Sequence, residues 1–326
     1  MKKVLSVVIP TYNMEKYLSN CLDSFIYDEK MTDVEVIVVN DGSKDGSLAI
    51  AKEYEAKYPN IFKVVDKENG GHGSTINAGL KVASGKYFKV VDSDDWVNTE
   101  HFRVLVEELK ACDCDAVCAN FNRKYELENR TEINDSCKGF SGKYNIDEIH
   151  NDNLFTMHSM TYKTENIKDI FILEHCFYVD VLFNLYCHSR SKTVYFIPDM
   201  DVYQYRLGRA GQSVSMEGMY KHKDEHTKVV KTAIEYIYAD GKQPSEDVLN
   251  YVNGVAGMEY NLYLGNYKAH KEIFPEVIEF DNWLKNYPEI YGRSNKRAIK
   301  LLRKGKFKNV KFVLLLKSIK NIFRKG

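Results

Sequence analysis

The sequence has no long apolar run, no excess of either charge and no regular pattern of cysteines. None of its 326 residues lies in an apolar stretch approaching the ~20 residues that span a bilayer. The apolar run at residues 4–9 is too short for a signal peptide, and it ends at Pro10. A membrane-spanning or secreted protein is therefore not expected, and we expect the chain in the cytoplasm.

The seven cysteines are odd in number and lack the spacing of a disulfide framework. Three of them, Cys112, Cys114 and Cys118, form a C-x-C-x3-C pattern that could hold a metal. A structural zinc site usually takes four ligands in paired spacing, and the sequence offers no second pair nearby. Buried free thiols in a reducing compartment are therefore the favoured interpretation.

The balanced charge, 46 Lys and Arg against 46 Asp and Glu, is an average over two unlike parts. Residues 293–326 carry 13 basic residues and no acidic one, so the rest of the chain is acidic. These basic residues are interleaved with apolar ones, a pattern typical of a helix on an anionic membrane surface. The alternative is a helix that packs its apolar face on the protein. We expect no nucleic-acid partner, because the basic residues are confined to the tail.

Strands alternate with helices along the first 120 residues. Short apolar runs at residues 4–9, 34–39, 61–65 and 87–91 predict buried strands. Apolar residues spaced by three or four positions between these runs predict helices. This alternation is typical of an α/β protein with a Rossmann-like, mostly parallel sheet and helices on both faces.

Polar residues follow three of these strands at the point where each strand ends. They are Thr11, Tyr12 and Asn13, then Asp41, and then Asp92, Ser93, Asp94 and Asp95. Such sheets bind ligands beyond the carboxyl ends of their strands, so these residues are predicted to share one site. Three carboxylates within four residues repel one another unless a cation screens them, and Mg²⁺ or Mn²⁺ prefers oxygen ligands. A solvated acidic turn is the alternative to a cation site.

Four blocks of sequence follow one another between residues 4 and 96: V-V-I-P-T-Y-N, V-V-N-D-G-S, N-G-G-H-G-S-T-I-N-A-G-L and D-S-D-D-W. Together they resemble the family 2 glycosyltransferases of the GT-A fold. The resemblance implies a nucleotide-sugar donor, Mn²⁺ or Mg²⁺, and inverting transfer in which a base deprotonates the acceptor hydroxyl. It also implies a glycan or lipid-linked acceptor and a role in bacterial surface-polysaccharide or teichoic-acid-type synthesis. The basic tail would then contact the inner face of the membrane.

The resemblance assigns roles to individual residues. Asp94 matches the metal ligand of the D-x-D motif, and Asp92 matches its ribose-side acid. Asp41 matches the acid that recognises the base imide, which favours UDP or dTDP as the nucleotide. The other donor-side assignments are Thr11, Tyr12, Asn13, Asn77, Ser93 and Asp95, with Tyr12 available to stack on the base. Ile76 stands where many relatives carry an arginine.

The second half of the predicted site depends on a few charged residues. Asp180 lies among apolar residues, which raise the pKa of a carboxyl and suit it to proton abstraction. The resemblance matches Asp180 to the catalytic base, and the alternative is a helix N-cap or a partner for a nearby cation. Arg206 and Arg209 stand beside a Gly-Gln-Ser turn and suit a flexible lid that contacts a diphosphate. His72 is a candidate catalytic histidine, but an ordinary polar loop residue is the favoured interpretation.

We therefore expect a catalytic domain over residues 1–216, followed by a C-terminal helical region over residues 217–326. The nucleotide-binding half would cover about residues 1–120, and the acceptor half about residues 121–216. Residues 121 to about 160 are polar and irregular in pattern, but aromatic residues continue through them, so an insertion or an acceptor-side excursion is predicted there rather than a linker.

Two other functions remain open at this point. A nucleotidyltransferase shares the related sheet architecture, but it would carry a glycine-rich signature with Arg and Lys after the first strand. The run Pro10 to Asn13 does not supply that signature. A non-catalytic protein that binds sugar nucleotides or glycans is the other candidate, and the D-x-D motif together with Asp180 argues against it.

Overall fold

The structure is a computed structural model that describes residues 3–150, 154, 156–208, 216–241, 243–265, 273–311 and 313. Arg209 and residues 314–326 therefore lie outside the described residues. The chain divides into two compact units, Met1–Ala210 and Gly211–Gly326. The first unit contains the sheet, and the described part of the second unit is helical.

The described strands form one mixed sheet. Their bounds are β1 (Leu5–Thr11), β2 (Val34–Asp41), β3 (Phe62–Lys67), β4 (Tyr87–Val90), β5 (Trp96–Val97), β6 (Ala116–Tyr125), β7 (Arg130–Asn134), β8 (Gly142–Asn145), β9 (Met160–Lys163) and β10 (Thr193–Leu207). The order across the sheet is β3-β2-β1-β4-β9-β6-β10-β5, with β7 beside β6 and β8 beside β10. The pairs β1–β2, β1–β4, β2–β3 and β6–β10 are parallel, whereas β9 runs antiparallel between β4 and β6.

Helices cover both faces of this sheet. Those of the first unit are α1 (Leu18–Asp23), α2 (Ser47–Lys57), α3 (His72–Val82), α4 (Thr99–Ala111), α5 (Thr164–Ile167) and α6 (Asp180–Ser189). Successive side chains of a strand point to opposite faces. Val7 and Ile9 therefore pack in one core with α1 and α4, while Val8 faces Gly79 of α3. The predicted α/β fold with its largely parallel sheet is confirmed, and all seven cysteines are buried and free, as predicted.

Residues 121–134 look irregular in the sequence but contain strand on both sides of a short turn, and their interpretation as an insertion or acceptor-side excursion remains a prediction. The strand β6 continues to Tyr125, and β7 pairs antiparallel with its second half. Beyond the buried residues Phe121 and Asn122, charged side chains on this ribbon pair with one another: Arg123 lies 3.3 Å from Glu132, and Arg130 lies 3.0 Å from it. A ribbon of this kind has polar residues on both faces, so it lacks the apolar alternation that identifies a strand in a sequence.

The predicted C-terminal helical region is confirmed for the described residues of the second unit. Its helices are α7 (Met216–Lys221), α8 (Lys223–Tyr238), α9 (Glu246–Gly265), α10 (Ile273–Leu284), α11 (Pro288–Arg293) and α12 (Arg297–Arg303). Within the described part of the chain, no helix combines the length and apolar character needed to cross a membrane.

The described part of the basic tail packs on the second unit. Ile299 and Leu302 of α12 are buried, as is Val310. Arg303 donates a hydrogen bond of 2.9 Å to the Asp281 carboxylate and reaches the backbone carbonyls of Tyr291 and Ser294 at 3.0 Å. For these residues the packing alternative is therefore correct, and membrane contact remains a prediction for the rest of the tail.

Candidate active site

Residues 92–95, which we call the acidic loop, follow β4 and are held in place by contacts with several other segments. The Ser93 hydroxyl is buried and donates to the Pro10 carbonyl at 2.7 Å, which ties the loop to the end of β1. The Asp95 carboxylate accepts the Tyr203 hydroxyl at 2.5 Å and the Arg206 backbone N–H at 2.7 Å. Burial and the charges of Asp94 and Asp92 raise the pKa of Asp95 well above its ordinary value. Carboxylates crowded in this way favour a cation at the site.

Arg206 lies in β10 and not on a flexible lid. Strand pairing between β10 and β6 extends through Leu207, so the arginine is fixed by the sheet. Its Nε donates to the Asp94 carbonyl at 2.6 Å, and its guanidinium pairs with Glu126 and lies 4.7 Å from the Trp96 ring. Arg206 therefore supports the acidic loop in this structure. The prediction for Arg209 falls outside the described residues.

Three potential metal ligands converge beside this loop. Among the described residues, ligand atoms of Asp92, Asp95 and His158 lie within 4.8 Å of one another, and Asp94 is not in that group. Carboxylate oxygens suit Mg²⁺ and Mn²⁺, and imidazole nitrogen is a frequent further ligand of transition metals. Burial lowers the pKa of His158 to about 4, so its ring is neutral near pH 7. The donor set therefore fits a divalent cation.

Asp41 is committed to the glycine-rich loop that precedes α3. Its carboxylate accepts the backbone N–H groups of Gly70 and Gly71, each at 2.8 Å, and Lys67 Nζ at 2.8 Å. Asn69 Nδ2 adds a further hydrogen bond of 3.0 Å. The side chain of Asp41 is only 3% exposed. This carboxylate therefore fixes the conformation of the loop, and the sequence did not predict that role.

A cleft of about 490 Å³ lies beside Asp41. Its lining residues are Tyr12, Gly42, Lys44, Asp66, Lys67, Glu68 and Asn69. Tyr12 is 47% exposed, so its ring is accessible, whereas Thr11 is buried and donates to the Ile9 carbonyl at 3.1 Å. Asn13 has a positive φ of 54° and accepts the Lys44 N–H at 2.8 Å, which joins the loops after β1 and β2.

His72 begins α3 and contacts the acidic loop. Its Nε2 lies 2.9 Å from an oxygen of Asp92. Burial lowers the pKa of His72, but the hydrogen bond to Asp92 and the negative charges of Asp92 and Asp180 outweigh this, so the pKa is raised. The favoured interpretation of His72 as an ordinary loop residue did not predict this contact with Asp92. Its place within the G-G-H-G run was the one indication that the sequence offered.

Asp180 is the first residue of α6 and is exposed to solvent. Val179 occupies the N-cap position, so Asp180 is not the capping residue. The surrounding protein reduces the hydration of the carboxylate and raises the pKa of Asp180; the Asp92 charge adds to this effect, and the His72 charge opposes it. The charges of Asp180, His72 and Asp92 act on one another, so these three side chains lie in the same region of the protein.

Asn77 contacts the chain that leads to Asp180. Its Nδ2 donates to the Ile172 carbonyl at 2.8 Å, and its Oδ1 accepts the Ile172 N–H at 2.9 Å. Both polar atoms of the Asn77 amide thus have backbone partners in this structure. The contact between Asn77 and the nucleotide-sugar donor remains a prediction.

Three further residues of the site were not predicted. Tyr203 and His158 stand in segments without a motif, so nothing in the sequence singled them out. Lys89 is 2% exposed and donates to the carbonyls of His158 and Met160 at 2.9 and 3.1 Å. Burial lowers the pKa of Lys89 to about 7. A single lysine inside the apolar run of β4 was the available indication.

Comparison with known proteins gives matches in sequence and in structure. Residues 6–176 match the sequence model of Glycosyl transferase family 2. The chain is 36% identical over 131 residues to the putative glycosyltransferase EpsH of Bacillus subtilis, which is 40% of this chain and 37% of that protein. It is 42% identical over 98 residues to the poly(ribitol-phosphate) beta-glucosyltransferase of Bacillus spizizenii, which is 29% of this chain and 16% of that protein. The matched segment thus spans less than two fifths of either relative's length.

Among solved structures, S. aureus TarS 1–349 in complex with UDP-GlcNAc is similar, with a TM-score of 0.65. The alignment covers 98% of this chain and 92% of that one, at 21% sequence identity. At that level of identity the likeness concerns the fold.

Proposed function

The chain belongs to glycosyl transferase family 2, and on that premise we propose that it transfers a sugar, with inversion, from a UDP- or dTDP-sugar to a hydroxyl group. The acceptor would be a glycan or lipid-linked molecule of bacterial surface-polysaccharide or teichoic-acid-type synthesis. The observation that carries the proposal is the position of Asp92, which lies 2.9 Å from His72 Nε2 and belongs with Asp95 and His158 to a set of ligand atoms that fits a cation. Asp180, an exposed carboxylate with a raised pKa, is near enough for its charge and those of His72 and Asp92 to act on one another.

On the donor side, we propose that the nucleotide base stacks on Tyr12 in the cleft next to Asp41. A similar solved structure contains UDP-GlcNAc, which supports a uracil nucleotide. Recognition of the base imide by Asp41 would replace the hydrogen bond from Asn69, because the other bonds to this carboxylate come from the loop backbone, Lys67 and Ser74. Thr11, Asn13 and Ser93 would shape the pocket through their own hydrogen bonds.

For the metal, we propose that Asp94 binds Mn²⁺ or Mg²⁺ together with Asp92 or His158. The cation would neutralise the diphosphate of the leaving nucleotide. Asp95 and Arg206 would hold the acidic loop in place, because the carboxylate and backbone N–H of these two residues are hydrogen-bonded to each other. Arg209 remains a predicted contact of the diphosphate.

In the chemical step, the Asp180 carboxylate would accept the proton of the acceptor hydroxyl. The acceptor oxygen would then form its bond to the anomeric carbon while the bond from that carbon to the nucleoside diphosphate breaks. The raised pKa of Asp180 favours this proton transfer, because a more basic carboxylate is a better proton acceptor. Exposure of the residue lets a hydroxyl from solution reach it.

The test begins with a thermal-shift screen of UDP- and dTDP-sugars, with and without Mn²⁺. For the donor that binds, Asp180→Asn should reduce turnover by about 10²-fold or more, the usual contribution of a general base. Donor affinity should change little, because the substitution keeps the size of the side chain. Asp169→Asn is the control, since Asp169 is 71% exposed and pairs with Arg190 instead.

Near-normal turnover by Asp180→Asn would refute its assignment as the base. The identity of the released product separates the alternatives. Release of nucleoside diphosphate supports a glycosyltransferase, whereas pyrophosphate would indicate a nucleotidyltransferase. Donor binding without turnover by the unaltered chain, in the presence of Mn²⁺ and a panel of glycan acceptors, would favour a binding protein.

A further inference from the structure

Residues 172–175, which we call the strap, lie across the start of α3. Asn77 holds one end of the strap, since its amide makes two hydrogen bonds with the backbone of Ile172 and a third, of 3.2 Å, with the Glu174 carboxylate. At the other end, the His175 N–H donates to the Gly70 carbonyl at 2.5 Å. The strap is thus fixed at both ends by the glycine-rich loop and the helix that follows it.

Close packing reinforces these hydrogen bonds. A Cβ atom added at Gly73 would lie 2.1 Å from the Leu173 carbonyl oxygen, and one added at Gly71 would lie 3.3 Å from the His175 nitrogen. His175, the last residue of the strap, and Tyr178, which lies between the strap and α6, have positive φ values of 50° and 62°. Non-glycine residues rarely adopt such a conformation unless their surroundings impose it.

The strap connects two parts of the proposed catalytic site. Asp180 begins α6 five positions after His175, at the end of the same irregular segment. The loop on the other side of the strap contacts Asp41 through Gly70 and Gly71, and it contacts Asp92 through His72. A shift of the strap relative to α3 would therefore move Asp180 relative to the residues that we assign to the donor.

We infer that Asn77 is a positioning residue for Asp180, acting through the strap; this rests on the proposed function. Its amide supplies one donor and one acceptor to Ile172, as a neighbouring strand would. A reacting group displaced by about 1 Å can lose up to about 10²-fold in rate. Loss of the N–H group that the Asn77 amide donates should therefore lower turnover. The pocket for the nucleotide-sugar, on the other side of the loop, should keep its affinity.

The experiment substitutes Asn77→Asp. This change keeps the oxygen that accepts the Ile172 N–H, removes the amide N–H group and places a second carboxylate beside Glu174. Turnover is measured as release of nucleoside diphosphate with water as the acceptor, using the donor chosen by the thermal-shift screen. We expect turnover to fall by about 10-fold to 10²-fold and the donor Kd to stay within about 2-fold. Hydrogen exchange of backbone amides in residues 176–183 should become faster.

Asn166→Asp is the matched control. Asn166 Nδ2 donates to the Asp115 carboxylate at 2.8 Å, so the substitution also removes an amide donor and creates a pair of like charges. Asp115 lies just before β6, at the amino-terminal end of that strand. The acidic loop follows the carboxyl end of β4, at the other end of the parallel strands. A comparable loss of thermal stability without the loss of turnover is expected. Adding Glu174→Gln to Asn77→Asp should restore part of the turnover, because the new amide can donate to the introduced carboxylate.

Each other outcome counts against the inference. Weaker donor binding with unchanged turnover would make Asn77 a direct contact of the donor. If Asn77→Asp and Asn166→Asp reduce turnover equally, Asn77 has only a structural role. If the unaltered chain turns over no donor, the proposed function fails. The exchange measurement needs no donor, and unchanged exchange in residues 176–183 would overturn the link between Asn77 and Asp180 by itself.

Discussion

At the scale of single residues, Gly73 shows how little space the strap leaves beside α3. A methyl group there would meet the Leu173 carbonyl oxygen at 2.1 Å and a methyl carbon of Ile172 at 2.9 Å. The first contact is with backbone, so rotation of a side chain cannot relieve it. The loop therefore depends on glycine at this position for its packing, although the residue lies within a helix.

We predict that Gly73→Ala destabilises the protein by about 1–3 kcal/mol, the usual cost of an overpacked site. The control is Gly254→Ala in α9, where an added Cβ meets nothing within 4 Å. That substitution should stabilise the protein by up to about 1 kcal/mol, because alanine favours a helix over glycine. Urea unfolding measures both. If Gly73→Ala stabilises the protein, the strap can move away from α3 at little cost, and the prediction is wrong.

The sequence drew attention to the acidic residues but not to their contacts. Asp92, Asp94 and Asp180 were singled out because polar residues after buried strands, or within apolar segments, are conspicuous locally. The partner of Asn77 is Ile172, 95 positions away. Periodicity reports on near neighbours along the chain, so it could not show that this amide has a backbone partner. The same limit applies to Tyr203, which meets Asp95 across 108 positions.

At the scale of elements, α12 is held to its unit by a partly buried ion pair. The side chains of Arg303 and Asp281 are 16% and 8% exposed. The Tyr260 hydroxyl also donates to Asp281, and the Arg303 guanidinium lies 3.5 Å from the Tyr291 ring centre. The first helix of the basic tail is thus fixed by specific contacts as well as by its apolar face.

We predict that Arg303→Met destabilises the protein by about 3 kcal/mol, because it leaves the Asp281 carboxylate buried without its cation. Arg293→Met is the comparison. Arg293 pairs with Glu246 at 2.7 Å, but their side chains are 26% and 58% exposed, so its loss should cost at most about 1 kcal/mol. Thermal or urea unfolding of the two variants gives the difference. Equal losses would mean that burial of the pair has no energetic importance.

Element positions were predicted well wherever an element contributes to a core. The strands β1 and β2 coincide with the apolar runs at residues 4–9 and 34–39. The strands β7 and β8 were missed, because their exposed and half-buried residues show no apolar alternation. Burial, which depends on the folded chain, is what makes a strand visible in its sequence.

At the scale of the whole molecule, the basic tail has two parts. Residues up to Arg303 contribute side chains to the packing of the second unit. Residues 314–326 contain four further Lys and Arg and no acid. We assign any contact with the inner face of a membrane to this last segment, because basic residues near an anionic surface contribute about 1 kcal/mol each.

We predict that a chain ending at Val313 keeps its unfolding temperature and its donor turnover but binds phosphatidylserine-containing vesicles more weakly. Cosedimentation with vesicles measures the binding, and phosphatidylcholine vesicles serve as the uncharged control. A full-length variant with Lys317→Gln and Lys320→Gln should lose part of the binding, which separates charge from apolar insertion. Undiminished binding by the shortened chain would refute a membrane role for this segment.

The acidic loop has a further consequence, for the synthesis of the chain on the ribosome. Asp95 precedes its partner Arg206 by 111 positions and its partner Tyr203 by 108. A ribosome adds about 5–20 residues per second, so the nascent loop waits roughly 5–20 s for these partners. The donor-binding half therefore does not mature as an independent N-terminal unit during translation. Its three carboxylates acquire their final arrangement only after β10 has emerged and joined the sheet.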